Sequence, residues 1–503
     1  MKSIRSFICL MAITICLPHF SFAQNDKEQE FMSVFHSITS QELYNYVAEL
    51  SDDKYEGRLS GTPEFMEAAK YVASKLKEWG IAPKGDNGSY FQYFDLPYNE
   101  VKNTGELQLF FETEDGAKIR KKYYFPDDYF PGTNSGNGTI NAEVVYVGHG
   151  MTAPELNYDD YKGMDVKGKI VMIDRDVPYS TRGEDYAKWV KYTYHQYKLN
   201  NAVKHGAAGL VYVGTGANPN TSYNKELVYC HISPEVADDI FAGTGKKYSE
   251  LKKMMMEKCK PVSFATGKHI SITANTNYHP EGIGCNVIGM IEGTDPVLKN
   301  EVIIIGGHLD GVGKPGEIIP AAWDNATGIA DIMAAARALA SSPVKLKRSI
   351  MFIFIGGEES GLIGSQKYCQ EPKMPKEKTV CFFNLDMVGT GTGLSVGGGQ
   401  SYPEILKSFE NANNKYLHRT MRSSKSRKST GRPRSDGVIF SWAGYRTLSI
   451  GTTGQAAHKT YYHHPGDTKE TIEPEIMEDV AKLIFVGLTN MANTVDLKLG
   501  TEN

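Results

Sequence analysis

The chain has 503 residues, which is long enough for two or more domains. Hydrophobic residues make up 41% of it and charged residues 23%, as is usual for soluble globular proteins. Its formal net charge of −4 argues against a nucleic-acid partner.

Residues 1–23 have the features of a secretory signal peptide. Lys2 and Arg5 supply the basic start, an apolar stretch follows over 7–17, and a small-residue cleavage site ends at Ala23. The apolar stretch is too short to span a membrane, so we expect no stable membrane anchor. Cleavage after Ala23 leaves 53 basic against 59 acidic side chains, a net charge of −6. The sequence therefore predicts a secreted or periplasmic protein.

Residues 37–80 contain two helical patterns. The second begins at Thr62 and Pro63, a cap residue followed by a proline in the first turn. Its apolar positions predict packing against a later sheet and no chemistry of its own. From Tyr90 to about Phe125, apolar and polar residues alternate, which predicts β-hairpins.

Residues 138–277 differ from the rest of the chain in their pattern of apolar residues and glycines. Short apolar strands are flanked by glycines, and a helical segment runs into Gly206. This pattern predicts a separate β-rich unit inserted between residues 24–137 and 278–503 of one larger domain. The alternative is that the segment is an elaborate part of a single domain.

The stretch 301–328 opens with a β-branched apolar run, which predicts a buried strand with His308 and Asp310 just beyond it. In an extended chain, residues two apart point the same way. If His308 binds a metal through one ring nitrogen, Asp310 can therefore reach the other and fix its tautomer. The stretch ends at Asp324, just before a predicted amphipathic helix.

Three further predicted strands end in acidic or imidazole side chains. Because strands alternate with helices, the sheet should be largely parallel or mixed, and the carboxyl ends of its strands should face one crevice. We therefore expect these side chains to meet there. The first strand is followed by Glu358 and Glu359, the second by Asp386, and the last by a loop with His463, His464 and Asp467.

Five short motifs cover these positions: GGHLD at 306–310, WDNATG at 323–328, GGEESGLIGS at 356–365, NLDMVG at 384–389 and YHHPGDT at 462–468. In this order they resemble the co-catalytic zinc aminopeptidases of peptidase clan MH, which share a fold with glutamate carboxypeptidase. Five ordered motifs are far more specific than any one of them. The resemblance implies an α/β fold with a mixed, mostly parallel sheet sandwiched by helices.

The resemblance also implies two Zn²⁺ ions per chain, with Co²⁺ or Mn²⁺ as substitutes, and peptides as substrates. Nitrogen and oxygen ligands suit Zn²⁺ with open positions for water and substrate. Taken singly, these residues have simpler interpretations as a core histidine, a helix cap, a turn residue and solvated acids. In the family's pattern, His308 and Asp386 bind one ion, Glu359 and His463 bind the other, and Asp324 bridges them.

Two catalytic roles follow from the same resemblance. Glu358 would act as the general base that takes a proton from water and hands it to the leaving amine. Asp310 would assist catalysis from behind His308, and Asp467 would support the metal ligands. The family places its histidine ligand four residues before this aspartate, which selects His463 and not His464.

The segment from Val144 through Asp160 to Val213 resembles a protease-associated domain, which is inserted in several secreted peptidases of this family. We assign it to residues 138–277, with the peptidase domain divided between 24–137 and 278–503. No candidate metal ligand lies inside the insert. We therefore expect it to be dispensable for metal binding and to influence the choice of substrate.

Residues 419–434 are rich in arginine and lysine. One interpretation is a solvated, flexible loop. The other is a basic rim that attracts acidic peptides or a carboxyl terminus. Next to it, Ser435 and Asp436 match a family motif, but Gly437 stands where histidine is usual, so no role of that histidine is carried over.

Other chemistries fit less well. Residues 393–397 match the G-x-S-x-G pattern of serine hydrolases, but further glycines follow where a helix is needed. The remaining cysteines are an odd number without a C-x-x-C pair, which argues against a zinc–thiolate site. At least one cysteine is then a free thiol or forms an intermolecular disulfide. We expect these cysteines to be small, buried apolar side chains. They are Cys230, Cys259, Cys285, Cys369 and Cys381.

The function predicted from the sequence is that of a secreted di-zinc aminopeptidase. Within the same fold, the alternatives are a carboxypeptidase, a dipeptidase and a single-zinc glutaminyl cyclase. From another class, the alternative is a binding protein that has lost its metals. Retention of His308 with Asp310 favours two metals and hydrolysis. The sequence leaves the preferred amino-terminal residue and the oligomeric state open.

Overall fold

The computed structural model describes residues 19–113, 115–181, 183–220, 222–455 and 461–497. Residues 1–18 of the predicted signal peptide lie outside the described residues. Within the described ranges, no helix combines the length and the apolar character needed to cross a membrane.

A nine-stranded mixed sheet forms the centre of the larger unit. Its order is β1-β15-β17-β16-β18-β21-β19-β20, and β2 pairs with β15. The central pairs β16–β17, β16–β18 and β18–β21 are parallel. The strands are β1 (Ala82–Pro83), β2 (Phe91–Asp95), β15 (Ile283–Ile291), β16 (Val302–His308), β17 (Ser349–Ile355), β18 (Thr379–Leu385), β19 (Gly393–Gly397), β20 (Met421–Ser423) and β21 (Thr447–Thr453).

Helices cover both faces of this sheet, so the predicted sandwich is confirmed. Because side chains alternate along a strand, Ile303 and Ile305 pack on one layer of helices while Val302 and Ile304 pack on the other. The helices of this unit are α1 (His19–Ser37), α2 (Ser40–Leu50), α3 (Pro63–Glu78), α7 (Thr327–Ser341), α8 (Ile363–Gln370), α9 (Pro403–Ala412), α10 (Asp436–Trp442) and α11 (Pro474–Asn493).

A second sheet, of eight strands, belongs to the insert and has the order β5-β4-β13-β7-β10-β11-β12-β6. Separate apolar clusters cover its two faces. Its strands are β4 (Glu106–Glu112), β5 (Lys118–Lys122), β6 (Tyr129–Pro131), β7 (Gly138–Val147), β10 (Ile170–Asp174), β11 (Gly209–Val213), β12 (Val228–Ile232) and β13 (Ser263–Ala274). The insert also contains α4 (His195–Lys204), α5 (Pro234–Phe241), α6 (Tyr248–Lys258) and the short pair β8 (Thr152–Ala153) and β9 (Tyr158–Asp159).

The insert's sheet extends beyond the boundary expected at residue 138. Strands β4, β5 and β6 precede that residue but pair within the second sheet. The chain enters and leaves this unit through a two-stranded ribbon of β3 (Tyr98–Val101) and β14 (Thr276–His279). We therefore propose an insert of about 102–275. Sequence alternation alone could not assign β4 and β5 to a sheet, because their partner β13 lies far along the chain.

Of the hairpins predicted between Tyr90 and Phe125, the structure contains one pair of adjacent strands. Strands β4 and β5 pair with each other, whereas β2 pairs with β15 and β3 pairs with β14. The five cysteines are free thiols, of which Cys230, Cys285 and Cys381 are buried. Their expected role as small buried side chains is thus confirmed for three of them.

Candidate metal centre

Three predicted ligands meet at the carboxyl ends of β16 and β18. The Nε2 atom of His308, the last residue of β16, lies 3.1 Å from Oδ1 of Asp324. The same nitrogen lies 3.3 Å from Oδ1 of Asp386, which directly follows β18. Parallel pairing of the two strands brings these ends together.

The other two predicted ligands meet on the far side of Asp324. Nε2 of His463 lies 2.9 Å from Oε1 of Glu359 and 3.5 Å from Oδ2 of Asp324. One oxygen of Asp324 thus faces His308 and the other faces His463. The ligand atoms of His308, Asp324 and Glu359 all lie within 4.8 Å of one another, which is a spacing that can hold a metal ion. All five side chains predicted as ligands are therefore brought together.

Asp310 is buried beside His308, but its contacts differ from the prediction. Nδ1 of His308 donates to the backbone carbonyl of Asp310 at 3.0 Å, while the carboxylate lies 3.8 Å away. That carboxylate accepts from the backbone amides of Glu358 and Glu359 at 3.2 and 3.3 Å. The strand ends at His308, so the regular alternation behind the prediction no longer applies. Asp310 therefore orients the loop that carries both glutamates.

Asp467 supports the backbone at Asp324, the predicted bridging ligand. Its carboxylate accepts from the amides of Trp323 at 2.7 Å and Asp324 at 3.2 Å. Arg58, fully buried nearby, donates to the carbonyls of Leu309 and Ala321 at 2.9 and 2.8 Å. Burial lowers the pKa of Arg58 to about 10, against the attraction of Asp467. The sequence did not single out Arg58, because its acceptors are backbone atoms that are distant in the chain.

The inserted domain reaches the centre directly. Nδ1 of His463 donates to the carbonyl of Ala217 at 2.7 Å, and the amide of Ala217 donates to the carbonyl of His463 at 3.2 Å. His464 points elsewhere, since its Nδ1 accepts from the amide of Gly466 at 2.9 Å. The ring of Tyr462 stacks on His463, with centroids 3.8 Å apart. No sequence motif indicated Ala217, because the contact uses only its backbone.

The centre is strongly anionic. Although burial opposes protonation, Asp386 and Asp324 hold the pKa of His308 well above its usual value. Likewise, against burial, Glu359 and Asp324 raise the pKa of His463 to about 10. Carboxylates that favour a positive charge beside both rings mark a place where cations are stabilised. With nitrogen and oxygen donors only, the set fits Zn²⁺.

Glu358 lies in the same loop but makes different contacts. Its side chain lines a cavity of about 450 Å³ that also contains Glu359 and His463. Burial raises the pKa of Glu358 well above its ordinary value, and Glu359 raises it further against the opposing effect of His308. A carboxylate with a raised pKa is better suited to accepting a proton.

The structure around Ser395 contradicts the serine-hydrolase alternative. Ser395 lies inside β19, and the following helix starts only at Pro403. A nucleophile elbow requires a strand-to-helix turn at the serine itself.

Asp436, in the motif that lacks its histidine, begins α10 and is buried. Burial raises the pKa of Asp436 to about 7.

Two family models match the chain. Residues 286–487 match peptidase family M28, and residues 140–240 match the PA domain. The match to peptidase family M28 includes all five predicted metal ligands. The resemblance seen in the sequence is thereby confirmed, together with the inserted protease-associated domain.

Curated relatives of the M28 domain are distant in sequence. Aminopeptidase YwaD of Bacillus subtilis is 25% identical over 348 residues, which cover 67% of this chain and 66% of that protein. A probable leucine aminopeptidase of Arthroderma benhamiae is 28% identical over 196 residues, covering 38% of this chain and 54% of the relative. The match thus spans about half the length of that relative.

Solved structures share the whole architecture. An aminopeptidase from Aneurinibacillus sp. strain AM-1 is 23% identical, with a TM-score of 0.64 and coverage of 94% of this chain and 98% of that one. BSAP, a zinc aminopeptidase from Bacillus subtilis, is 21% identical, with a TM-score of 0.59 and coverage of 92% and 96%. At this level of identity, the likeness shows that the M28 domain and its insert share the fold.

Proposed function

We propose that the protein is an exported aminopeptidase that uses two zinc ions to release amino-terminal residues from peptides. One observation carries the proposal. The two carboxylate oxygens of Asp324 face the Nε2 atoms of His308 and His463, at 3.1 and 3.5 Å respectively. A bridging carboxylate between two imidazoles is the arrangement that a pair of co-catalytic metal ions requires. The names of the relatives support the choice of an aminopeptidase among hydrolases.

The ligands divide into two groups around Asp324. His308 and Asp386 would hold one zinc ion, while Glu359 and His463 would hold the other. When bound there, two zinc ions supply an acidified water and polarise the scissile carbonyl. The three ligand carboxylates offset most of the ions' charge, which makes the burial of the cluster tolerable.

Glu358 is the proposed general base. It lies one residue before a ligand, and its carboxylate is free to face the cavity. It accepts a proton from the attacking water and delivers it to the leaving amine nitrogen, so its net state is restored in each cycle. Asp310 keeps this glutamate in place by accepting a hydrogen bond from its amide at 3.2 Å.

Export through the signal peptide over residues 1–23, with cleavage after Ala23, is part of the proposal. An enzyme that works outside the cytoplasm and acts on free amino termini would process peptides produced by other proteases. An amino-terminal analysis of the exported protein tests the site of cleavage.

The main test combines metal analysis with a panel of peptides. The purified protein should contain about two zinc ions per chain, lose activity with a strong chelator and regain it with zinc, cobalt or manganese. The panel compares each peptide in three forms: with both ends free, with the amino end blocked and with the carboxyl end blocked. Cleavage only where the amine is free supports an aminopeptidase. Cleavage of amino-blocked peptides would indicate a carboxypeptidase, and full activity without metal would overturn the proposal.

A further inference from the structure

The cavity beside the candidate metal centre has an unusual charge distribution. Its lining includes Glu358, Glu359 and His463 from the peptidase domain. The same cavity is also lined by three arginines, Arg175 from the insert and Arg432 and Arg434 from the segment between β20 and α10. A cavity of about 450 Å³ lies in the range of small-molecule and short-peptide sites.

The three arginines form one cluster that spans both domains. Arg434 donates from Nη2 to Oδ1 of Asp176 at 3.3 Å, and Asp176 is the neighbour of Arg175 in the chain. Arg432 donates from Nη1 to the carbonyl of Thr193 in the insert, at 3.4 Å. Both contacts hold the segment that carries Arg432 and Arg434 against the insert. The loop from 424 to 435 is therefore docked at this point.

The charges of the cluster are only partly compensated. Asp176 offsets Arg434, whereas the contact of Arg432 with Thr193 is to a neutral carbonyl. The guanidinium of Arg175 has no hydrogen bond or ion pair to any residue that the structure describes. The two acids in the cavity, Glu358 and Glu359, are assigned to proton transfer and metal binding. Two positive charges thus remain available to a molecule in the cavity.

We propose that Arg175 and Arg432 bind a carboxylate of the peptide substrate, beyond the residue that is released. This inference rests on the proposed function, which puts the free amine at the metals and Glu358. The planar guanidinium group matches a carboxylate in shape and charge. The preferred substrates are then short peptides with a free carboxyl terminus, or peptides with an acidic side chain after the scissile bond.

Matched substrates separate these two sources of the carboxylate. Leu-Ala-Ala and its carboxyl-terminal amide differ only in the terminal charge. Leu-Glu-Ala amide and Leu-Gln-Ala amide differ only in the side-chain charge. For the zinc-loaded wild-type protein, we expect kcat/KM to be about 10- to 100-fold higher for the charged member of at least one pair, because a hydrogen bond to a charged group is worth about 1.5–3 kcal/mol. The difference should fall mainly on KM and shrink in high salt.

Variants test the assignment to these two residues. Arg432→Gln and Arg175→Gln should each reduce the preference. The double variant should abolish it by lowering kcat/KM for each charged peptide towards that of its neutral partner. Arg432→Lys keeps the charge and should keep part of the preference. Arg427→Gln is the matched control, since Arg427 lies on the same segment but does not line this cavity. It should behave as wild type.

The outcomes separate this inference from the proposed function. A preference in either pair that disappears in the double variant supports the inference and identifies the source of the carboxylate. Equal rates within both pairs, or a preference that survives in the double variant, overturns it while the aminopeptidase stands. If zinc-loaded wild-type protein cleaves none of the four peptides, the proposed function fails first, and the inference fails with it.

Discussion

The carbonyl of Ala217 accepts a hydrogen bond of 2.7 Å from Nδ1 of His463. A ligand of the candidate centre is thus oriented by the backbone of the inserted domain, not by a carboxylate of its own domain. A partner on the second ring nitrogen fixes the tautomer and orientation of a metal-binding imidazole. The sequence predicted that the insert is dispensable for metal binding. This contact leads us to expect the opposite for the ion held by His463.

Gly216 offers a way to disturb this contact without replacing a predicted ligand. It has a φ of +124°, a conformation that side chains rarely adopt, and it directly precedes Ala217. Gly216→Ala should shift the Ala217 carbonyl and weaken binding of the ion at His463 about 10- to 100-fold. Zinc affinity measured by competition with a chelator checks this. Gly245→Ala is the control, because Gly245 is also in the insert, has a φ of +70° and faces open space. Equal zinc affinities of the two variants would contradict the proposed role.

The adjacent glutamates should give opposite defects when changed in the same way. Glu358→Gln should keep both metals and lower kcat about 10²- to 10⁴-fold, because the amide cannot accept the proton of water. Glu359→Gln should lose about one zinc ion per chain, since a charged ligand has been neutralised. Zinc content and kcat of both variants decide the matter. Metal loss in Glu358→Gln with two zinc ions kept in Glu359→Gln would mean that the assigned roles are exchanged.

The two adjacent histidines provide a second matched pair. His463→Ala removes the imidazole that lies 2.9 Å from Glu359, so it should lose one metal and nearly all activity. His464→Ala removes a ring whose Nδ1 only accepts from the amide of Gly466, so it should keep both metals. Metal analysis of both proteins is sufficient. The reverse result would place the ligand one residue later in the chain.

Asp331 predicts a pH dependence of stability. It is fully buried in α7, and neither carboxylate oxygen has a hydrogen-bond partner among the described residues. Burial holds the pKa of Asp331 well above its usual value, so the folded protein retains the proton of this carboxyl to a higher pH than the unfolded chain does. The unfolded chain ionises it above a pH of about 4, which favours unfolding increasingly as the pH rises.

The variant Asp331→Asn removes this penalty. Its free energy of unfolding, relative to wild type, should increase by at least about 1 kcal/mol between pH 4.5 and pH 7.5, since a tenfold change in proton affinity is worth about 1.4 kcal/mol. Urea unfolding at the two pH values measures it, and the other acids cancel in the comparison. Asp53→Asn, at an exposed position, should show a constant difference. A constant difference for Asp331→Asn as well would show that the carboxyl is ionised in the fold.

The sequence predicted the positions at strand ends well. His308, Asp386 and Glu359 follow apolar runs that form β16, β18 and β17, and parallel pairing necessarily brings such ends to one edge. Motif order then assigned His463 and Asp324 to the same place. These predictions depend on local patterns and on the way parallel strands assemble, and both are readable in one chain.

Contacts made by backbone atoms could not be predicted in this way. The carbonyl of Ala217 and the acceptors of Arg58 are groups that every residue possesses, so no residue type marks them. The carboxylate of Asp310 was expected at a ring nitrogen but binds two amides, because the strand ends before its side chain is placed. The strands that join the second sheet before residue 138 could not be predicted for a similar reason, as β4 pairs with β13 across more than 150 residues of sequence.

The ribbon of β3 and β14 places the two ends of the insert side by side. Within the peptidase domain, the whole insert is therefore equivalent to one long loop that closes a β-hairpin. The entropy of closing a loop rises only slowly with its length, so the insert can grow or shrink with little effect on the folding of the peptidase sheet. The length of the insert can therefore vary, whereas the position of Ala217 is constrained by its hydrogen bond with Nδ1 of His463. Selection on this domain would then act on the residues that face the candidate metal centre and its cavity, which include the loop 214–220 and Arg175, while the surface away from them is left to diversify.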